Sequence, residues 1–458
     1  MKLLKTLKNI TPQQLATTLI FLAALLARLY WLLFVQNEPV SDFATYQMVA
    51  ENIANGLGHT MFGLPVAWQG SGFPYVLGLF YRIIGTTDVF YGKLLNLFLS
   101  MGTLVFCYLI YKKIFTSARS ALAALTITAL LPQYMAYVNV IGTEVFFTFV
   151  LSAIVFVKLY FLPCDRSQAT QYIATVAIGV LIGIAALTRP FMLAYPVIFG
   201  IFMLSSTKQL KKSLLYTAIA FAACAIVITP WAIRNYRLFD RFIPVSYNSG
   251  YVLFINNNDV NVSGSWMDPL RALVYYPERY DILQAALEDR TIHQVHEVEP
   301  YFAIWARQWI ADNPLDYLKM GFLRVHSTFF RGANDIPQWA ANISPIHEEG
   351  ISATERARRV RHHNFLESFA GMITLILNGT AFLFMFVTVK RYAVGLFGKT
   401  RLDLLTAAVF INFAFFIVIA FLFEGQARYA FPVFLFIVPA VVAVGAELVK
   451  RTAQAAEQ

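Results

Sequence analysis

The sequence predicts an all-α polytopic membrane protein with about ten transmembrane helices and one mainly helical extracytoplasmic insert. Three observations favour this class. The chain of 458 residues is 58% hydrophobic and only 14% charged, whereas soluble domains have about 25% charged residues. Ten apolar runs are long enough to cross a bilayer, which takes about 20 residues. The charged residues concentrate in residues 233–364, which hold 29 of the 62 Asp, Glu, Lys and Arg residues.

The apolar runs divide the chain into three parts. About seven spans occupy residues 1–232, the insert follows at 233–364, and about three spans occupy 365–458. The fifth and sixth runs are joined by so tight a connection that one bent span is the alternative there. The runs lie near 14–35, 94–111, 119–138, 143–161, 171–188, 190–206, 213–232, 366–389, 403–423 and 429–449.

The lysines predict the orientation of these spans. If all ten runs cross, 12 of the 14 lysines fall on one side, and such basic loops are cytoplasmic. Both termini are then cytoplasmic, while the first loop, residues 36–92, and the insert are extracytoplasmic. The net charge of +10 reflects these helix-end residues, so nucleic-acid binding is not expected. The basic and then apolar N-terminus lacks a small-residue cleavage site and is interpreted as a retained first span.

Short helices are predicted outside the membrane. In the first loop, a helix from Asp42 to Asn55 precedes an apolar helix from Phe73 to Gly85, which is too short to span and is expected at the interface or as a re-entrant segment. In the insert, a helical stretch over 299–330 is broken at Asn313–Pro314. Its apolar residues within 315–330 either lie on the membrane or cover the insert's own core.

Ionisable residues from six distant segments are expected to meet at the outer membrane face. An ionisable residue at the end of an apolar run is either an anchoring device or part of a site. Under the topology above, all of these residues fall at one interface, which favours a site. The six are Asp42, Glu144, Arg189, Arg234, Glu424 and Arg428.

Two of these carboxylates have alternative roles. Asp42 either caps a helix or acts as a general base that deprotonates a hydroxyl acceptor. Tyr46 follows one turn later on the same helical face. Glu144 begins a span, where the helix dipole favours a carboxylate. Alternatively, Glu144 orients the acceptor or binds a divalent cation together with Asp42 and His59.

The arginines suit a lipid-linked phosphate. Guanidinium groups bind phosphate oxygens bidentately and stay charged at any relevant pH. Arg189, Arg234 and Arg428 therefore form a candidate phosphate site, with ordinary contacts to lipid headgroups as the alternative. Arg28 lies about two turns inside the first span, where it either snorkels or joins the phosphate site.

No metal centre or nucleotide site is predicted. The cysteines Cys107, Cys164 and Cys224 have neither metal-ligand spacing nor a pairing pattern. The pairs His293/His296 and His362/His363 are not accompanied by a zinc motif. No Gly-rich phosphate loop follows a strand, so no cofactor is expected to be required, although a divalent cation is possible.

Seven short motifs occur in an order that resembles a known superfamily. They are Ala27-Arg28-Leu29, Ser41-Asp42-Phe43-Ala44-Thr45-Tyr46, Gly72-Phe73-Pro74-Tyr75, Gly142-Thr143-Glu144-Val145-Phe146, Leu187-Thr188-Arg189-Pro190, Thr229-Pro230-Trp231-Ala232-Ile233-Arg234-Asn235-Tyr236 and Arg428-Tyr429. With these motifs the chain resembles the bacterial branch of the GT-C glycosyltransferases, which use polyprenyl-phosphate sugars. Protein O-mannosyltransferases and the lipid A aminoarabinose transferase belong to that superfamily.

The resemblance implies an inverting sugar transfer at the extracytoplasmic face of a bacterial cytoplasmic membrane. The donor would be a polyprenyl-phosphate-linked sugar, and the acceptor an envelope lipid, glycan or protein. By the resemblance, Asp42 is the catalytic base, and Arg234 and Arg428 hold the donor phosphate. Arg28, Arg189 and Tyr429 are assigned to the same phosphate site.

One departure and two competing classes accompany this interpretation. Protein O-mannosyltransferases carry an Asp-Glu pair where this chain has Asp42-Phe43, which argues against that branch. A lipid-linked glycan flippase without transferase activity is the main alternative, although the charged groups gather at one face rather than at the midplane. A structural or assembly protein that displays the insert is the third class.

Overall fold

The computed structural model describes residues 11–163, 165–288, 295–341, 352–398 and 402–456. Its secondary structure is almost entirely helical, and a small antiparallel ribbon, β1 (Thr60–Met61) with β2 (Leu64–Pro65), lies in the first loop. The helices are α1 (Pro12–Phe34), α2 (Asp42–Ala54), α3 (Gly72–Ile84), α4 (Val89–Ile114), α5 (Ala118–Ala129), α6 (Pro132–Ala136), α7 (Thr143–Phe161), α8 (Gln168–Thr188), α9 (Tyr195–Thr207), α10 (Leu210–Phe239), α11 (Ser249–Asn256), α12 (Pro269–Tyr275), α13 (Asp281–Glu288), α14 (Val295–Asp312), α15 (Pro314–Phe329), α16 (Ala353–Phe397), α17 (Leu404–Leu422) and α18 (Phe434–Ala456).

Polar side chains fix where several of the long helices begin. Ser117, Ser167 and Asp403 each accept a hydrogen bond from the backbone N–H three residues further on. Such caps satisfy N–H groups that have no partner within the helix itself. The polar residues between the apolar runs therefore set the starts of α5, α8 and α17.

The helices confirm the predicted all-α membrane class. Within the described residues, nine helices are long and apolar enough to cross a membrane, and ten if α5 and α6 count as one bent span. The described part of the insert is also helical. Two helices run past the expected insert boundaries at 232 and 364, because α10 continues to Phe239 and α16 already begins at Ala353.

The span expected at 119–138 is broken in the middle. The axes of α5 and of the segment that starts at Pro132 differ by 54°. Pro132 has no N–H to donate, and Leu131 before it is extended (φ −62°, ψ 124°), as the residue before a proline prefers to be. The bend leads into a short 3-10 turn, Tyr137–Asn139.

The tight connection near residue 189 joins two separate spans. α8 ends at Thr188, and the stretch Pro190–Thr207, a 3-10 turn followed by α9, is long and apolar enough to be a span of its own. Arg189 is extended (φ −136°, ψ 105°), which is again typical of a residue before proline. The single bent span considered from the sequence is therefore wrong.

The transmembrane helices and the insert have separate hydrophobic cores. Phe73, Phe147 and Tyr195 belong to the large core that the spans share. Phe254 and Phe302 belong to a smaller core inside the insert, built from α11 to α14. The insert is thus a folded unit attached to the transmembrane part.

The predicted break in the insert helix is confirmed, since α14 ends at Asp312 and α15 begins at Pro314. α15 packs on α17 through Phe322, whose ring centroid lies 5.4 Å from that of Phe421. The buried Arg324 of α15 donates hydrogen bonds to the backbone oxygens of Phe421 (3.0 Å) and of Asn256 in the insert (2.8 Å). α15 therefore joins the insert to the transmembrane helices and does not cap the insert core.

The first loop contains both helices that the sequence predicts. α2 and α3 pack against each other, and α3 buries Phe73 and Leu77 while it exposes Leu79 and Ile83. The apolar outer face of α3 fits the expected place at the membrane interface, which stays a prediction. This pair of helices brings Asp42, at the start of α2, to the ends of the membrane spans.

Candidate active site

Asp42 is held between two side chains from distant parts of the chain. Its Oδ2 accepts a hydrogen bond from Arg428 Nη2 at 2.8 Å, and its Oδ1 accepts one from Gln69 Nε2 at 3.0 Å. The Asp42 side chain is 37% exposed and that of Arg428 is 13% exposed. The carboxylate is therefore accessible from solvent while its arginine lies behind it.

The position of Asp42 depends on unusual backbone geometry. Ser41, the N-cap of α2, has φ +53° and makes no capping hydrogen bond through its side chain. A positive φ costs energy for a residue with a Cβ, and such strain tends to occur at functional sites. The carboxylate of Asp42 contacts Arg428 and Gln69, so these contacts favour a site residue over the alternative role as a helix cap.

Glu144 and Arg189 form a second ion pair beside the first. Arg189 Nη2 lies 2.7 Å from Glu144 Oε1, and Glu144 is 2% exposed. The other oxygen, Oε2, is buried and makes no hydrogen bond with the described residues. Gly142 permits this placement, because a Cβ there would lie 2.5 Å from Oε2.

Tyr429 joins the two ion pairs. Its ring centroid lies 5.4 Å from the guanidinium carbon of Arg189 and 5.5 Å from that of Arg428. These distances permit attraction between each cation and the ring. The Tyr429 hydroxyl donates to Glu424 Oε2 at 2.7 Å. The ring therefore bridges both arginines and ties them to a third carboxylate.

Tyr46 lies beside the same group of charges. Burial raises the pKa of its hydroxyl, and the negative charge of Asp42 raises it further. Arg189 and Arg428 act on Tyr46 in the opposite direction. A neutral hydroxyl with this many charged neighbours can donate or accept a hydrogen bond but stays protonated at physiological pH.

Sequence reasoning missed Gln69, Tyr137 and Asp335. The Tyr137 hydroxyl donates to Asp335 Oδ2 at 2.8 Å, and Asp335 is 5% exposed. Burial raises the pKa of Asp335 to about 6; Glu144 adds to this shift and Arg428 opposes it. Asp335 is thus a further buried acid near the arginines. In the sequence it is one polar residue in a turn before Pro337, so no motif marks it.

The structure places His59 and Arg234 together in a neighbouring cluster. Arg234 donates hydrogen bonds to the backbone oxygens of His59 (2.9 Å) and Val66 (2.8 Å). Its guanidinium carbon also lies 4.5 Å from the Trp231 ring centroid. Burial, helped by the charge of Arg234, lowers the pKa of His59 to about 4. Arg234 therefore holds the first loop, and its contacts do not include a carboxylate partner among the described residues.

Arg28 is buried among the transmembrane helices. Its Nε donates to Ser100 Oγ at 2.8 Å, and its Nη1 donates to the backbone oxygens of Ala24 and Ala129. These bonds join α1, α4 and α5. The contacts of Arg28 thus serve helix packing and do not link it to Asp42 or Glu144, so snorkelling to the surface is not what this structure shows.

The metal arrangement considered for Asp42, Glu144 and His59 is not formed. Among the described residues, no three His, Cys, Asp or Glu side chains are grouped closely enough to hold a metal ion. Each of the two carboxylates faces an arginine instead, and His59 lies with Arg234. His293, from one of the histidine pairs, falls outside the described residues, as does Cys164.

Comparison with known proteins gives a partial match to one family and a shared fold. Residues 69–233 match the sequence profile of the family described as dolichyl-phosphate-mannose-protein mannosyltransferase. No curated protein sequence matches the chain. The archaeal oligosaccharyltransferase AglB from Archaeoglobus fulgidus, solved with an inhibitory peptide and a dolichol-phosphate, aligns with a TM-score of 0.51 and 13% identity, over 95% of this chain and 51% of AglB. This chain has a GT-C-like fold.

Two further solved structures also align with most of the chain. The oligosaccharyltransferase of Archaeoglobus fulgidus tethered to an acceptor peptide has a TM-score of 0.51 and 13% identity, over 96% of this chain and 50% of that one. ArnT from Cupriavidus metallidurans, bound to undecaprenyl phosphate, has a TM-score of 0.44 and 15% identity, over 95% of this chain and 80% of ArnT. This chain spans about half the length of the oligosaccharyltransferases it matches.

The resemblance inferred from the motifs is thereby confirmed. The segment that matches the family profile includes Gln69, Glu144 and Arg189. Asp42 and Arg428 lie outside it, on either side. The fold brings Asp42 into contact with Gln69, at the start of the matched segment, and Arg428 into contact with Asp42.

Chemically, the site combines bases with anion-binding groups. A carboxylate such as Asp42 can accept a proton from a hydroxyl once it is free of its arginine. The guanidinium groups of Arg189 and Arg428 can bind phosphate oxygens or stabilise a leaving phosphate. The arrangement suits the displacement of a phosphate by an oxygen nucleophile.

Proposed function

We propose that this protein is an inverting glycosyltransferase that moves a sugar from a polyprenyl-phosphate donor to an envelope acceptor. The observation that carries the proposal is the meeting of two carboxylate–arginine pairs, Asp42 with Arg428 and Glu144 with Arg189, from four segments of the chain. The site lies where membrane helices end, so a lipid-anchored donor and an acceptor outside the bilayer can both reach it.

Arg428 and Arg189 are assigned to the donor phosphate. A guanidinium can exchange a carboxylate for a phosphate, because both offer two oxygens in the same plane as its N–H groups. When the donor phosphate takes Arg428, the bond from Arg428 to Asp42 is released. Donor binding would thus free the carboxylate that the reaction needs.

Asp42 is assigned the role of the base. It takes the proton from an acceptor hydroxyl while that oxygen attacks the anomeric carbon of the sugar. The bond between this carbon and the phosphate oxygen breaks, and polyprenyl phosphate leaves with the electron pair, stabilised by the arginines. One displacement inverts the anomeric centre, and neither a nucleotide nor a covalent sugar–enzyme intermediate is needed.

Two comparisons support a lipid-linked donor. The matching family is described by its dolichyl-phosphate-mannose donor, and AglB was solved with a dolichol-phosphate. The peptide tethered to the oligosaccharyltransferase of Archaeoglobus fulgidus is one kind of acceptor. For this chain, an envelope lipid, a glycan or a protein are all acceptors that the proposal includes.

The contacts favour other roles for Arg234 and Arg28 than donor binding. The N–H groups of Arg234 donate hydrogen bonds to the first loop, and those of Arg28 donate hydrogen bonds within the helix bundle. We propose that Arg234 and His59 position the loop that carries Asp42. We also propose that the chain lies in a bacterial cytoplasmic membrane with both termini cytoplasmic and the insert on the far side.

The variant Asp42→Asn tests the proposal most directly. The reconstituted full chain is given a polyprenyl-phosphate sugar, and release of polyprenyl phosphate together with sugar transfer is measured. Loss of a general base costs about 100-fold or more in rate, so transfer should fall by at least that factor. Asparagine has nearly the same shape and can still accept a hydrogen bond from Arg428, so the fold should persist.

Asp88→Asn is the matched control. Asp88 is an exposed residue of the same loop and caps α4 by accepting a hydrogen bond from the Phe90 N–H. Asparagine caps a helix equally well, so this variant should keep full transfer. Wild-type turnover by Asp42→Asn would remove Asp42 from the mechanism. Movement of the lipid-linked sugar across the membrane without transfer would instead support a flippase.

A further inference from the structure

A basic cleft lies at the opposite end of α8 and α10 from the candidate active site. It has a volume of about 500 Å³ and includes Arg166, just before α8, and Lys211 and Lys212, in the first turn of α10. Arg189 lies at the other end of α8, which has 21 residues. At 1.5 Å per residue, the cleft and Arg189 are about 30 Å apart, the thickness of a bilayer core.

The floor of the cleft is a buried polar network. Gln171 and Tyr216 are 3% and 1% exposed, and the Tyr216 hydroxyl donates to Gln171 Oε1 at 2.8 Å. Gln171 Nε2 donates to the backbone oxygens of Arg166 (2.9 Å) and Pro163 (3.2 Å). These bonds fix the segment before α8 against α10, so the cleft is a built part of the fold.

The charges of the cleft are all of one sign. Its lining contains no acidic residue among the described residues, and Arg166, Lys211 and Lys212 form no ion pair with any described residue. The N-termini of two long helices also point here, and each carries partial positive charge. Gln209, the N-cap of α10, makes no capping hydrogen bond through its side chain. The positive charge of the cleft therefore favours the binding of an anion.

An apolar strip begins next to these charges. Leu215 lines the cleft, and the neighbouring Leu214 and Ile173 are 59% and 71% exposed. Both helices qualify as membrane spans, so these side chains face lipid. We propose that the cleft binds the phosphate-bearing headgroup of an anionic phospholipid, with its acyl chains along this strip. Basic pockets between membrane helices are suited to such headgroups.

The test uses the purified, delipidated full chain. Phosphatidylglycerol is titrated in against a background of phosphatidylcholine, and the bound lipid is counted by native mass spectrometry. Each basic residue near a membrane surface contributes enough that three together account for about a 100-fold change in affinity. The triple variant Arg166→Gln, Lys211→Gln, Lys212→Gln should therefore bind phosphatidylglycerol about 100-fold more weakly.

A matched control removes three exposed cations from another inter-helix connection. Lys112→Gln, Lys113→Gln, Arg119→Gln together should leave the tightest-bound phosphatidylglycerol in place. If the triple variant at the cleft folds poorly, the single change Lys211→Gln should still weaken binding about fivefold. Equal phosphatidylglycerol binding by wild type and by both cleft variants would overturn the proposal.

A second arm separates a lipid from a soluble ligand. Millimolar inorganic phosphate should not displace phosphatidylglycerol from the wild-type chain, because phosphate alone lacks the apolar contacts. Displacement by inorganic phosphate would show that the cleft takes free phosphate and that the assignment to a lipid is wrong.

Discussion

The two arginine clusters at the ends of the membrane helices differ in what their guanidinium groups bind. Arg428 and Arg189 face side-chain carboxylates, whereas Arg234 faces backbone carbonyl oxygens of the first loop. A carboxylate can be exchanged for a phosphate, but a backbone carbonyl released by its arginine loses its partner and disturbs the loop. The comparison indicates that the arginines of the first cluster can exchange a carboxylate for a phosphate, whereas Arg234 supports the first loop.

The largest expected effect comes from Arg428→Gln. Loss of one group that stabilises a leaving charge typically costs about 100-fold or more in rate. We expect this loss in kcat/KM for the lipid-linked donor, with a smaller change in acceptor dependence. Arg451→Gln, which removes an exposed arginine paired with Glu447, serves as the control. An unchanged dependence on donor concentration would contradict a phosphate role for Arg428.

Arg234→Gln should act on stability more than on chemistry. Two charge-assisted hydrogen bonds to the first loop are lost, at a cost of about 3 kcal/mol. We expect a clearly lower Tm in detergent and a transfer rate within about tenfold of wild type for the protein that remains folded. Arg237→Gln, in the exposed last turn of the same helix, should change neither quantity. A 100-fold loss of transfer at unchanged Tm would make Arg234 part of the catalytic group.

The sequence predicts the place of some of these residues in the structure but not of others. The apolar runs predicted the spans, and the topology of these spans predicted that Asp42, Glu144, Arg189 and Arg428 meet. The sequence could not separate Arg234 from these, because every arginine at the end of an apolar run has the same local pattern. Only the packed first loop decides which of them faces a carboxylate.

The missed residues show a further limit. Asp335 and Tyr137 are 198 residues apart, and each has an ordinary local context, a turn and an aromatic position near a bend. Their pairing depends on how the insert returns to the spans, which hydrophobic periodicity does not encode. The sequence could have predicted a bend at Pro132, since proline interrupts a helix. The direction of the bend is set by packing.

The pH dependence of stability sharpens the contrast for His59. The pKa of His59 is lowered from 6.5 to about 4 in the fold, so its neutral form is stabilised there. This contribution is present above pH 6.5 and is lost as the pH falls toward 4, at a cost of up to about 3 kcal/mol. In wild type the titration of Asp335 opposes that of His59, so the test uses the variant Asp335→Asn. Its Tm should fall as the pH is lowered through this range. A flat profile would show that His59 is not buried as neutral imidazole.

Asp335 should give the smallest effect, with the opposite sign. Its pKa is raised from 3.8 to about 6, so its contribution is present below pH 3.8 and is lost as the pH rises through 6, by about 2 to 3 kcal/mol. In wild type His59 and Asp335 change the stability in opposite directions between pH 4 and 6. The variant His59→Gln removes the contribution of His59, so the pH dependence of the Tm that is due to Asp335 can be measured. We expect the Tm of His59→Gln to fall as the pH rises. A Tm that rises instead would contradict the buried, neutral carboxyl group.

The ion pair between Asp42 and Arg428 also has a consequence for biosynthesis. Its two partners are 386 positions apart in the chain, so the ribosome makes Asp42 long before it makes Arg428. While the intervening helices enter the membrane, the carboxylate has no arginine to face. The candidate active site therefore assembles only when the last helix arrives, and a prematurely terminated chain leaves an incomplete site in the membrane.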